Sequence, residues 1–210
     1  MFRNLGMPQR SGAWASAVAF AAAAALGPLP ATAQTGGDGP DLLVETYRDW
    51  VVRCAPVAPA QGVAPAADAQ PPARLCEIAQ ELGQADSGQR VLQLAFQADG
   101  DGARLTVVAP FGLRLADGVG LALSDTPPTA EGLAAATGQA TPFIVIPFRT
   151  CLPQGCIAEA AMDGAMLAEL GAGAGLLVIL TTDDGALATL PISLAGFSGA
   201  ITRLTALQDG

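Results

Sequence analysis

Two cysteines stand close together in FRTCLPQGCIAE (148–159), with the four residues Leu-Pro-Gln-Gly between them. Pro and Gly suit a tight turn, and a turn brings two Cα atoms within the ~4.4–6.8 Å that a disulfide needs. The chain has four cysteines, Cys54, Cys76, Cys151 and Cys156, and four cysteines allow three pairings. Local chain reversal selects Cys151–Cys156 and leaves Cys54 to pair with Cys76. In the chain-entropy picture the short loop is worth roughly 2 kcal/mol and the longer one roughly 3.4 kcal/mol. The competing reading is a zinc site. The spacings C-x21-C and C-x4-C fit zinc ribbons poorly, and a redox-active pair is more often C-x-x-C. Two disulfides imply an oxidising compartment.

The first 33 residues, MFRNLGMPQRSGAWASAVAFAAAAALGPLPATA, supply a route to one. Arg3 and Arg10 make a basic start, and Ala13 to Leu26 is a small, apolar run interrupted only by Ser16. Gly27, Pro28 and Pro30 break any helix, and Ala31-Thr32-Ala33 fits a small-x-small cleavage site. This pattern predicts a cleavable signal peptide over 1–33, cut after Ala33. The run of 14 residues is too short for a membrane anchor, which needs about 20. No cysteine lies near the cut to carry a lipid. No integral span is expected after removal of the leader.

The remaining 177 residues suit one domain. They keep 8 Arg against 19 acidic residues, a net charge of −11. Such a surface repels nucleic acid and anionic lipid. The chain contains no His and no Lys. Without imidazole, Ser-His-Asp and Cys-His mechanisms and His-ligated metal sites are excluded.

Along the chain, turn signals punctuate short runs of strand character. Residues 34–43 read as a disordered lead-in, and VETYRDWVVRC (44–54) as a strand carrying a core Trp50. Residues 55–75 are rich in Pro and Ala and read as a flexible loop whose ends the Cys54–Cys76 bridge ties together. RVLQLAFQ (90–97) and ARLTVVAP (103–110) alternate around ADGDGA, a hairpin with Leu92, Leu94 and Phe96 on one face and Leu105, Val107 and Ala109 on the other strand's matching face. A second hairpin is expected about Asp117-Gly118, with Leu113 and Leu115 before it and Val119, Leu121 and Leu123 after. Residues 124–141 read as a loop with a weak helical turn. PFIVIPFRTC (142–151) is a strand in which Pro147 demands an edge or a bulge. Met166, Leu167 and Leu170 have helical spacing, with Gly171 placed to stop the helix. LLVILTTD and ALATLPISL flank another hairpin turn at Asp184-Gly185, and 196–207 reads as a short closing helix. The fold expected is mainly β: an antiparallel sandwich with one or two short helices and two disulfides, over 44–207 as a single domain.

Three short motifs invite a chemical reading. GFSGA (196–200) has Ala200 where a nucleophile elbow needs Gly, and the chain has no His to activate Ser198. ADGDG (98–102) and TDDG (182–185) lack the further oxygens and the distal Glu of a calcium loop. GAGAG (171–175) has no following Lys-Ser or Lys-Thr and comes after a helix, not before one. Carboxylate pairs of the glycosidase kind can converge from distant strands, but no two residues are singled out. No catalytic residue, cofactor or metal is assigned, and the chain is read as not an enzyme.

The ordered landmarks DWVVRC (49–54), CEIAQEL (76–82), SGQRVLQLAF (87–96), APFGLRLADGVGLALSD (109–125), PFIVIPFRTCLPQGCIAE (142–159) and PISLAGFSGAITRL (191–204) together resemble the invasion-associated locus B family of exported bacterial proteins. The likeness runs from about residue 44 to 207. It implies a compact β-rich domain, a periplasmic or cell-surface location, and a role in host-cell invasion that need not transfer to every member. The loop between Cys54 and Cys76 and the stretch 126–141 depart from the family pattern by their length. The expected function is that of an exported envelope or surface protein acting on an envelope or host protein partner. The alternatives are a periplasmic module for a small apolar or saccharide ligand and, further off, a carboxylate-based envelope hydrolase.

Overall fold

The computed structural model describes residues 42–56, 74–127 and 141–208. The leader, the lead-in up to residue 41, most of the Pro/Ala-rich loop and the centre of 124–141 lie outside the described residues.

Eleven strands among the described residues form two antiparallel sheets. The larger holds β1 (Leu43–Tyr47), β2 (Trp50–Pro56), β3 (Arg74–Gly83), β4 (Arg90–Asp99), β5 (Gly102–Ala109), β8 (Phe148–Leu152) and β9 (Gly155–Met162), in the order β1-β2-β3-β4-β5-β9-β8. The smaller holds β6 (Val119–Ser124), β7 (Ile144–Ile146), β10 (Gly175–Thr181) and β11 (Leu187–Ser193), in the order β11-β10-β6-β7. Helix α1 (Gly164–Ala172) follows β9, and α2 (Phe197–Gln208) closes the chain. The antiparallel sandwich, its two helices and its two disulfides agree with the sequence-based expectation.

Alternation sets which face each strand buries. On β4, Leu92, Leu94 and Phe96 are fully buried; on β5, Ala103, Leu105, Val107 and Ala109 are at most 2% exposed, with Arg104 turned to solvent. They meet Val119 and Leu121 of β6, Leu176, Val178 and Leu180 of β10, and Ile192 of β11 in one core cluster. The Gly100-Asp101 turn joins β4 to β5 with Asp99 opposite Gly102, as its sequence predicts. Between β2, β4 and α2, Trp50, Phe96 and Phe197 meet edge to face with centroids 5.1–5.7 Å apart, a favoured aromatic geometry. The Trp50 indole Nε1 donates to the Ser193 carbonyl at 2.9 Å, so its polar tip is satisfied in the core.

Four local expectations differ from the structure. Residues 44–54 are two strands, not one: Arg48 takes a left-handed φ of 56° and reverses the chain, pairing Tyr47 with Trp50. The reversal is held from outside. The Asp49 amide donates to the Ala195 carbonyl, and Gly196 lies so close that a Cβ there would sit 1.9 Å from the Tyr47 carbonyl oxygen. The second correction concerns Asp117-Gly118, which does not turn a hairpin. Leu115–Asp117 is one turn of 3-10 helix, Leu113 bridges Thr182, and β6 pairs with β10 and β7 instead. Gly118 is still required, with φ 71° and no room for a Cβ, which would meet the Ile146 carbonyl oxygen at 2.6 Å. The signal for a special backbone was present, but the partner strand lies elsewhere in the chain. Third, α1 runs past Gly171 and ends at Gly173, whose amide donates to the Glu169 and Leu170 carbonyls. Fourth, 142–151 is not one strand but two, because Pro147 falls between β7 and β8. There the chain leaves one sheet and enters the other, and both strands lie on edges, where Pro is tolerated.

Candidate interaction surface

The residues that the sequence brings forward as chemical candidates have structural partners. Cys54 faces Cys76 directly across β2 and β3, and Cys151 faces Cys156 across β8 and β9. Both pairs are disulfides, with Cα atoms 4.0 and 3.9 Å apart. Ser198 lies in the first turn of α2, where its hydroxyl donates to the Gly171 carbonyl of α1 at 2.9 Å. A Cβ at Gly171 would approach the Ser198 Oγ to 2.9 Å, so Gly171 lets the helices approach instead of ending one. Asp184 caps its own turn by accepting from the Thr182 hydroxyl and the Ala186 amide. These hydrogen bonds, Thr182's first, hold its carboxyl below the ordinary carboxylate value. Asp99 is engaged by Arg104 at 2.8 Å, and the Asp163 carboxylate caps α1 by accepting from the Met166 amide. Among the described residues, no set of three or more His, Cys, Asp or Glu side chains is placed to hold a metal ion.

Charge is distributed unequally over the two sheets. The outward face of the large sheet carries ion pairs, Arg53 with Glu77 and Arg149 with Glu159, and Gln97 donates to Glu77 at 3.3 Å. The four strands of the small sheet carry no charged residue, and on the face turned away from the core cluster Ala122 and Leu177 are buried. Arg203 of α2 grips Glu45 of β1 with a two-pronged contact of 2.8 and 2.9 Å, and the Tyr47 hydroxyl donates to the same carboxylate at 3.0 Å. The Arg203 bonds are the main reason that the Glu45 carboxyl is held below its ordinary value. This pair fastens the outermost strand of the sheet to the last helix.

Two features outside the ion-pair network can seat a partner. The first is the end of the large sheet that carries the C-x4-C turn. Ala109 lies opposite Cys156, and Leu152 opposite Gly155, so Phe111 and Leu152 emerge near the same end. They are 61% and 41% exposed. The loop bearing Phe111 is pinned: the Asp183 amide donates to the Gly112 carbonyl at 3.0 Å, and the Arg114 amide to the Thr181 carbonyl at 2.8 Å. Arg90 reaches the same end and donates to the Gln154 carbonyl at 3.1 Å. A large exposed aromatic side chain on a loop whose backbone is already fixed is a suitable contact for a protein partner, because little backbone freedom remains to be lost on binding. Its sequence carries a signal, PFG after a strand, but exposure of the Phe depends on the distant β10–β11 turn. The second feature is an open groove of about 770 Å³ between α1 and α2, with Leu167 and Ile201 as apolar walls and the hydroxyls of Ser198, Thr202 and Thr205 along it. It contains no titratable side chain. Among the described residues, no helix is long and apolar enough to cross a membrane.

A family model described as "Invasion associated locus B (IalB) protein" matches residues 50–205. An invasion protein B homolog of Brucella abortus is 35% identical over 188 residues, covering 87% of this chain and 91% of that protein. Invasion protein B of Bartonella bacilliformis is 28% identical over 178 residues, covering 81% of this chain and 79% of its own length. Among solved structures, the crystal structure of invasion associated protein B from Bartonella henselae superposes with a TM-score of 0.57 at 24% identity, over 80% of this chain and 97% of that one. At that identity the superposition speaks to the fold.

Proposed function

The chain belongs to the invasion associated locus B family, and from that premise we propose an exported envelope or cell-surface protein that works by binding another protein. The observation that carries this reading is Phe111, 61% exposed on a loop that two long-range backbone hydrogen bonds immobilise. Export is supported by the leader pattern of residues 1–33, with a cut after Ala33, and by two disulfides, which suit an oxidising compartment. Residues 44–207 then form the working domain. The partner is an envelope or host protein; the relatives' names point to invasion, and host association is the narrower form of the proposal.

A photo-cross-linker placed at Leu152, at the same end of the sheet, and used on the intact envelope and on host-cell membranes, tests it. A discrete cross-linked species that disappears on Phe111→Ala is the expected result. The same background of products with and without the aromatic side chain counts against the sheet end as the contact. The groove between α1 and α2 favours a second reading, a small apolar or saccharide ligand. A reproducible melting shift with such a molecule, lost on Gly171→Leu and kept on Phe111→Ala, selects it over the first.

A further inference from the structure

The two disulfides occupy different mechanical positions. Cys54–Cys76 joins β2 to β3, and each of those strands has a second ladder on its far side, to β1 and to β4. Cys54 is 1% exposed, and Cys76 packs against the core. Opening that bridge would free no edge. Cys151–Cys156 instead fastens β8, an outermost strand whose ladder is with β9 alone. Four of the five residues of β8, Cys151 among them, are exposed. Its ladder is also irregular, with the register shifting between Phe148 and Thr150. Pro147 precedes the strand at the crossover between sheets, and the turn Pro153-Gln154 follows it. Besides the bridge, β8 is held by its ladder to β9, by the Arg149–Glu159 ion pair and by Phe148 against the core, so Cys151–Cys156 is the covalent tie on an edge strand otherwise held by non-covalent contacts.

We propose that Cys151–Cys156 is a redox latch: a dithiol, such as an envelope oxidoreductase of the C-x-x-C class, opens it while Cys54–Cys76 stays closed, and opening releases β8 from the edge of the large sheet. The exchange balances as follows. A thiolate of the dithiol attacks the exposed Cys151 sulfur. The S–S bond breaks, and Cys156 leaves as a thiolate and takes a proton from water. The second thiol of the reductant then attacks the mixed disulfide, closing the reductant's own disulfide and releasing the Cys151 thiol. The reductant loses two electrons and the bridge gains them. Release of β8 uncovers the backbone amides and carbonyls along β9, an edge able to accept a strand from another chain. This proposal is independent of the role given to Phe111.

The test is graded reduction of the folded, oxidised protein with dithiothreitol, trapping by alkylation and peptide mapping, with far-UV circular dichroism on the same samples. The expected result is labelling of Cys151 and Cys156 at about tenfold less reductant than Cys54 and Cys76 need, with the dichroism losing no more than the small share of one short strand. Amide exchange should then rise across residues 148–152 and 155–162 and nowhere else. A Cys151→Ser/Cys156→Ser double variant should show the same exchange pattern without reductant. Simultaneous opening of both bridges overturns the proposal, as does opening only with a larger loss of the dichroism. Earlier opening of Cys54–Cys76, or unchanged exchange in β8 after reduction or in the double variant, overturns it equally.

Discussion

Gln80 acts as a strand partner made from a side chain. Its amide nitrogen donates to the carbonyls of Asp49 and Ser193, and its oxygen accepts from the Ser193 amide. It is only 8% exposed. One side chain therefore satisfies backbone groups on the turn after β1 and at the end of β11, and joins the two sheets at the corner where Trp50 also meets Ser193. Gln80→Leu keeps the volume and leaves the Ser193 amide without that partner. The expected loss is about 1–3 kcal/mol, read as a lower urea midpoint with an unchanged slope; an unaltered midpoint would show that water replaces the amide without cost. Glu45 and Arg203 give a second residue-scale expectation. With the Glu45 value depressed in the folded chain, its contribution is present above the unfolded-chain value and is lost as pH falls through that range towards the folded value. Arg203→Gln removes the main cause. Urea midpoints should therefore fall less steeply between about pH 5 and pH 3 in the variant than in the parent. Asp184, also depressed, contributes to the slope of both. Parallel curves would assign the acid sensitivity elsewhere. Neither arrangement is legible in the sequence, since the partners are 113 and 158 positions apart and no local pattern marks them.

Strands were legible where local chemistry decides the outcome. The β4–β5 hairpin and the β10–β11 hairpin follow from alternation and Asp-Gly or Gly-Asp turns, and Pro147 correctly announces edges. The β1–β2 turn did not, because Arg48-Asp49 carries no turn signature; Ala195 and Gly196 impose the reversal from the far end of the chain. Asp117-Gly118 misled for the complementary reason, a good turn pair whose preceding residues have Thr181 and Thr182 as partners. The cysteine pairing was legible because the turn between Cys151 and Cys156 settles it locally. The exposed end at Phe111 was not, since it rests on contacts with β10 and its turn. The two bridges close loops of very different length, with sequence separations of 22 and 5. Replacing Cys54 and Cys76 by Ala should therefore cost roughly 3.4 kcal/mol and replacing Cys151 and Cys156 roughly 2 kcal/mol. Denaturant unfolding of the two double variants orders them. The reverse order would mean that packing around the sulfurs, and not the freedom of the unfolded chain, sets their worth.

At the scale of the molecule, one core serves both sheets and both helices. Leu170 of α1 and Phe197, Ala200 and Leu204 of α2 belong to the same buried cluster as the inner rows of β4, β5, β6 and β10. Phe197 completes the aromatic trio with Trp50 and Phe96, so the last helix packs into the core beside β2 and β4 of the large sheet. Among the described residues, neither sheet has a separate core cluster to fall back on if the other melts. The described domain should then lose secondary structure and aromatic packing together. Far-UV and near-UV dichroism, the second reporting the Trp50–Phe96–Phe197 contacts, are expected to give coincident midpoints in the oxidised protein. Phe197→Ala should lower both by the same amount, about 3–5 kcal/mol at the protein, because the cavity opens in packing that both sheets share. A near-UV transition that precedes the far-UV one would separate α2 from the sheets. The helix would then be an attached cover and not part of the core, and its grip on β1 through Arg203 and Glu45 would be a surface contact alone.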